Sequence, residues 1–113
     1  MPSHVALTTS TDAADAPLSP FFSLTPWVML VTTDGSAPVT LRNLHFNAEH
    51  VIDLIASWSP RLVICGHVPA AAAGTMRDAG IEVRIGPCSV PAVSLIDRAH
   101  SLPCPIFPGD TSR

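Results

Sequence analysis

The sequence predicts one α/β domain in which hairpin-type strands come first and a wound β-α-β half follows. Three observations carry that reading. Residues 62–65 (LVIC) form a short apolar run with β-branched residues, the mark of a strand buried on both faces. Pro69 and Gly80 bracket an alanine-rich segment, a proline suiting a helix start and a glycine its end. Residues 81–85 (IEVRI) then alternate as a further strand. The loop between the first of these strands and the helix opens onto a helix N-terminus, where backbone N–H groups and the helix dipole favour an anion. A thiol and an imidazole, Cys65 and His67, belong to that loop.

Taken in order, residues 5–9 (VALTT) read as the first strand. Asp12 and Asp15 follow in a polar loop and read as solvated rather than as metal ligands. Residues 17–26 hold Pro17, Pro20 and Pro26, which prevent a regular helix, and Phe21 and Phe22, expected to plug one end of the core. Residues 27–33 (WVMLVTT) are a second strand, Asp34-Gly35 a turn, and 39–41 a short third strand. From Asn47, a good N-cap, the period changes: Val51, Leu54, Ile55 and Trp58 make a helical stripe that Pro60 ends. Residues 86–89 (GPCS) form another strand-to-helix loop, with Ser89 as N-cap of a helix reaching about His100 through Val93, Leu95, Ile96 and Ala99. Residues 103–113 read as a proline-rich, frayed tail, leaving a domain over 1–102 with the order β-β-β-α-β-α-β-α. Leu7, Val28, Leu30, Val51, Ile55, Val63, Ile64 and Val83 are the expected core.

Bulk properties narrow the function. At 113 residues and 47% hydrophobic, the chain has a modest globular core. No apolar run approaches the roughly 18 residues of a membrane span, and residues 1–10 do not resemble a secretory signal, so a cytoplasmic protein is expected. Net charge is −3, and the six basic groups, all arginine, are spread singly, which argues against nucleic acid. Three cysteines without a CxxC pair indicate neither a disulfide framework nor a structural zinc site.

Several segments together resemble one family. They are Val5-Ala6-Leu7, Ser19-Pro20-Phe21-Phe22-Ser23 before the strand at Trp27, the helix over 48–58, Leu62-Val63-Ile64-Cys65-Gly66 and Ala79-Gly80-Ile81-Glu82-Val83. In this order they resemble the dinitrogenase iron–molybdenum cofactor family, which includes NifX-like carriers and the C-terminal domain of NifB. The resemblance implies a ribonuclease H-like, mixed five-stranded sheet with helices packed on it, an antiparallel second strand and strand order 3-2-1-4-5. It also implies a non-enzymatic role in binding or carrying a metal–sulfur cluster or its precursor, of Fe–Mo–S or Mo–Cu–S type, between donor and acceptor proteins. The chain departs from the family in two places. Phe21-Phe22-Ser23 stands where the family has His-Phe-Gly, and His67-Val68-Pro69-Ala70 replaces a glycine-rich turn.

In an open α/β sheet, ligands bind beyond the C-terminal ends of the parallel strands. With the family's strand order, the loops after the first, fourth and fifth strands share that edge. Thr9, Ser10, Gly66 and Ser89 are then candidate cluster-binding residues, joined by His45 near the start of the first long helix. Cys65, His67 and Cys88 are candidate metal ligands, because thiolates and imidazole suit soft or borderline metals and helix N-termini lower thiol pKa values. The competing reading of Cys65 is a small buried hydrophobe. Enzymatic readings lack support: the strands 5–9, 27–33 and 62–65 carry no carboxylate for a metal-dependent nuclease, and a Cys65–His67 nucleophile lacks an orienting third group. The expected protein is a small cluster carrier, monomeric or weakly dimeric, the alternative being a cluster-free interaction or regulatory module on the same fold.

Overall fold

The chain begins with β1 (His4–Thr9), β2 (Trp27–Thr32) and β3 (Val39–Arg42), then α1 (Ala48–Ser57) and β4 (Leu62–Cys65). It continues through α2 (Ala70–Asp78) and β5 (Glu82–Ile85) to a closing 3₁₀ helix over Ala92–Ser101. This computed structural model describes residues 4–13, 15–32, 38–44 and 46–104. The expected turn at Asp34-Gly35 and the candidate His45 lie outside the described residues.

The strands form one mixed sheet in the order β3-β2-β1-β4-β5, as expected. β1 runs antiparallel to β2, with Leu7 opposite Met29, and parallel to β4, with Leu7 opposite Ile64. β2 and β3 are antiparallel, and β4 and β5 parallel with Val63 opposite Val83. The C-terminal ends of β1, β3, β4 and β5 therefore share one edge.

Alternation along the strands divides the core in two. Ala6, Val28, Val63, Cys65 and Val83 face Val51 and Ile55 of α1 and Ala72, Ala73 and Met76 of α2. Val5, Leu7, Met29, Leu62 and Ile64 face Leu18, Ala92, Leu95 and Ala99. All eight expected core residues are buried. Phe22 is buried and joins the first cluster, but Phe21 is 58% exposed and plugs nothing.

Local signals set the element ends. Asn47 caps α1 by accepting the His50 N–H at 2.7 Å. α2 ends in a Schellman motif: Gly80, at φ +85°, donates its N–H to the Arg77 carbonyl, and the Ile81 N–H reaches Met76. Two expectations need correction. Pro69 is the N-cap of α2 rather than its first helical residue, since its ψ of 147° is still extended and its carbonyl accepts the Ala73 N–H. Ser89 does not cap the last helix, which starts after Pro91 without a side-chain cap. That helix is 3₁₀ rather than α. The Ala92 N–H donates to the Ala16 carbonyl at 2.8 Å and Pro17 bridges to Pro91, so the start is tied to the β1–β2 connection. A 3₁₀ helix rises about 2.0 Å per residue against about 1.5 Å in an α-helix, so the same residues stretch further across the second face.

At the junction with the expected tail, the Ile85 N–H donates to the Pro103 carbonyl and the Arg84 guanidinium to that of Leu102, both at 2.8 Å. Residues 105–113 lie outside the described residues. No helix among the described residues is long and apolar enough to cross a membrane.

Ile64 is fully buried between parallel neighbours and packs in the second cluster. Ile64→Ala should cost about 2–4 kcal/mol, through lost transfer energy plus a cavity. A lower urea midpoint at unchanged m-value is the expected readout; an unchanged midpoint would remove β4 from the centre of the sheet.

Candidate functional site

The shared strand edge carries the connections 10–26, 43–47, 66–69 and 86–91, and the helix starts of α1 and α2 lie on it. Hydrogen bonds from β1 organise it. The Ser19 N–H donates to the Thr8 carbonyl at 2.8 Å, and the Thr25 hydroxyl donates to the carbonyls of Thr9 and Trp27, each at 3.0 Å. The Gly86 N–H donates to the Cys65 carbonyl at 2.9 Å, holding the loop after β5 against the end of β4.

Gly66 is the point of closest approach. A methyl group built there would stand 2.5 Å from Cys88 Sγ and would overlap the Ser19 carbonyl oxygen. The Cys88 thiol thus rests on the bare backbone of Gly66 beside the first connection, with Cys88 itself exposed. Three separate loops meet at this contact. His67 is exposed on the following residue, and α2 begins three residues later with no side chain capping its first turn. Those amides are open donors at the positive end of a helix.

The candidate ligands divide. Cys65 is fully buried, pointing with Ala6, Val63 and Val68 into the layer under α1 and α2. Burial pushes its thiol up to about 12, opposite to the lowering expected from a helix N-terminus. The Thr8 hydroxyl beside it pulls weakly downward and, fully buried, has no regular hydrogen-bond partner. Among the described residues, no three His, Cys, Asp or Glu side chains converge on a metal-ion position, so Cys65, His67 and Cys88 do not form a closed ligand set.

The remaining candidates are structural or peripheral. Thr9 is buried, its hydroxyl donating to the Thr11 carbonyl at 2.9 Å. Ser10 is half-buried, with its N–H donating to the Pro17 carbonyl at 3.1 Å, and Ser89 is exposed. A shallow groove of about 300 Å³ runs between the first turns of α1 and α2, lined by Ala48, Glu49, Ile52, Pro69, Ala72 and Thr75. Its carboxylate, Glu49, makes it a poor anion site.

Sequence reasoning missed Ser19 and Asn43. The Ser19 hydroxyl donates to the Phe21 carbonyl at 3.1 Å, and its own backbone carbonyl walls the Cys88 site. Asn43 is completely buried, and its amide donates to the carbonyls of Ser23 at 3.0 Å and Thr25 at 2.9 Å. The available signals were Ser-Pro at the start of an irregular loop and an Asn just beyond a strand, both common turn formers.

The fold and the edge site define an α/β domain of mixed five-stranded type, and solved structures share that architecture. The apo form of the orange protein from Desulfovibrio gigas matches with a TM-score of 0.79 at 16% identity, covering 93% of this chain and 94% of that one. A putative NifB protein from Thermotoga, described as belonging to the DUF35 family, matches with a TM-score of 0.68 at 18% identity over 88% and 87%. The structure of PH0822 matches with a TM-score of 0.64 at 16% identity, over 71% and 73%. No protein-family model and no curated protein matches the chain. At these identities the likeness is one of fold. The NifB name coincides with the family that the sequence resembles.

Two measurements test the site geometry. Gly66→Ala should cost about 1–3 kcal/mol, because the Ser19 backbone cannot yield cheaply, and should change the alkylation rate of the displaced Cys88. An unchanged rate and stability would mean the thiol does not rest on Gly66.

The second concerns pH. Because the folded-state pKa of Cys65 is raised from 9.0 to about 12, the unfolded chain loses its thiol proton first. The contribution of Cys65 to stability is complete below pH 9 and is lost as pH rises from there towards about 12. The slope approaches about 1.4 kcal/mol per pH unit for one proton. Urea melts of Cys65→Val should lack that part of the alkaline decline, and native Cys65 should resist iodoacetamide while Cys88 reacts.

Proposed function

We propose that the protein is a small, non-enzymatic carrier of a preassembled anionic metal–sulfur species, of Mo–Cu–S or Fe–Mo–S type. The observation that carries this reading is the Cys88 thiol held on Gly66 at the strand edge that also bears the uncapped start of α2. A naked metal ion needs three or four protein ligands. A thiometallate brings its own sulfide ligands, so one thiolate together with amide donors suffices to hold it. Cys88 supplies the soft contact, the first turn of α2 the donors, and His67 an imidazole within reach of solvent. Cys65 takes no part, because at pH 7 it is a neutral thiol inside the core. The family resemblance and the NifB-named neighbour support the reading without carrying it. Delivery to an acceptor protein inside the cell follows as its physiological role.

A second reading, a cluster-free interaction module, is favoured by one observation. Where the family has an imidazole, this chain has Phe21, and Phe21 is 58% exposed.

The deciding experiment mixes the purified protein with tetrathiomolybdate, alone and with Cu(I), followed by gel filtration. Molybdenum, with copper where added, should co-elute with the protein and produce a new visible absorption band. Bound species should slow Cys88 alkylation, Cys88→Ser should weaken retention at least about tenfold, and Cys104→Ser should not. Absence of metal from the protein fractions would sink the carrier reading in favour of the interaction module.

A further inference from the structure

β5 is the last strand of the sheet, with β4 on one side only. That pairing fixes where its backbone groups point. The Glu82 N–H donates to the Arg61 carbonyl and the Gly86 N–H to that of Cys65, so the even-numbered residues turn their backbone towards β4. Alternation turns the N–H and C=O groups of Val83 and Ile85 outward. An outward row of this kind is a template for pairing with another strand.

The chain's own C-terminal segment lies on that row. The Ile85 N–H donates to the Pro103 carbonyl at 2.8 Å, and Leu102 packs against the cluster under the 3₁₀ helix. Arg84 ties the segment down. Its Nη1 donates to the carbonyls of Leu102 at 2.8 Å and His100 at 3.5 Å, and its Nε to the Glu82 carboxylate at 2.6 Å. The fastening is one-sided, because Pro103 has no N–H and returns nothing to the edge carbonyls. Proline on a strand edge stops pairing where another residue would continue it.

The strand beneath is self-complementary. Residues 81–85 read Ile-Glu-Val-Arg-Ile. An antiparallel copy related by a two-fold axis at Val83 would exchange both outward backbone hydrogen bonds of Val83 with its counterpart. Glu82 of each copy would then face Arg84 of the other, at the close spacing of a non-hydrogen-bonded pair.

We propose that residues 102–104 are a strap that keeps the β5 edge from pairing with β5 of a second copy, and that Arg84 is its latch. In the closed monomer the Arg84 guanidinium is engaged by Leu102 and Glu82 of its own chain. With the strap off, the same two charges serve the antiparallel pair. Five residues a side bury far less than the roughly 1,200 Å² of a standard interface, so the opened edge gives weak, concentration-dependent association and no permanent dimer. The cluster-carrier reading uses none of these residues, and the two are tested separately.

Full-length variants separate the latch from the pairing. Arg84→Glu removes the latch and sets like charges across the two-fold. It should speed exchange of the Ile85 amide about tenfold or more while leaving the protein monomeric. Combined with Glu82→Arg, the same substitution restores opposite charges across the two-fold. Sedimentation equilibrium of that double variant from about 10 μM to about 1 mM should show a monomer passing to a dimer. Leu102→Gly, which loosens the strap and keeps both native charges, should associate as well, and it decides the matter where circular dichroism shows a charge variant unfolded. The unaltered protein should stay monomeric over the same range, with a slowly exchanging Ile85 amide. An Ile85 amide that exchanges no faster in Arg84→Glu overturns the latch. A double variant and Leu102→Gly that both stay monomeric to about 1 mM overturn the strap. So does an unaltered protein that already pairs through β5.

Discussion

The ladder between β1 and its two neighbours positions everything at the candidate site. Val5 to Thr9 are buried on both faces, with β2 antiparallel on one side and β4 parallel on the other. A slip of one residue against β4 would exchange the two cores, sending Leu7 towards α1 and Ala6 towards the 3₁₀ helix. Leu7 could not take the place of Ala6 without overpacking, and the cavity left by the exchange would add to the cost. The same register sets where the Thr8 and Thr9 carbonyls meet Ser19 and Thr25. Loop geometry some distance from the core is thus decided by which β1 residue faces which layer.

How much of this was legible in the sequence depends on whether the deciding interaction was local. LVIC, Asn47 and Gly80 announce their roles through neighbours a few residues away, and each behaves as read. Strand order and the sense of β2 came from the family resemblance rather than from any local pattern. Ser89 failed by two positions because the start of the last helix is tied to a remote backbone partner, Ala16, and Pro69 by one because its own ψ is still extended. The 3₁₀ winding of the last segment was illegible for a similar reason. Its apolar spacing suits an α-helix, and only its long-range ties and the face it covers decide otherwise.

Cys65 and Cys88 show why residue type cannot settle a site. Cys65 ends β4, Cys88 follows β5, and both lie near a helix start in sequence. Strand parity decides between them. Cys65 shares its face with Val63, two residues before it, and is therefore committed to the core. Cys88 lies three residues beyond the end of β5, free of that parity, and turns back over Gly66. Burial costs the thiolate its hydration, and for Cys65 this outweighs any help from the helix dipole. A reactive thiol at this edge has to come from a loop.

The lack of charged residues in the connections that carry Cys88 and the start of α2 bears on what kind of anion the edge would select under the proposed reading. Phosphate and sulfate are strongly hydrated and are best recognised by the bidentate geometry of arginine. The connections 66–76 and 86–96 hold no arginine, and the uncapped amides of α2 alone would compete poorly with water for such ions. A thiometallate spreads its charge over large, polarisable sulfur atoms and carries a weaker hydration shell. Apolar walls, a soft thiol and a few polarised N–H groups then become adequate, because less solvation has to be replaced. The absence of arginine from these two connections thus lowers the competition from abundant oxyanions.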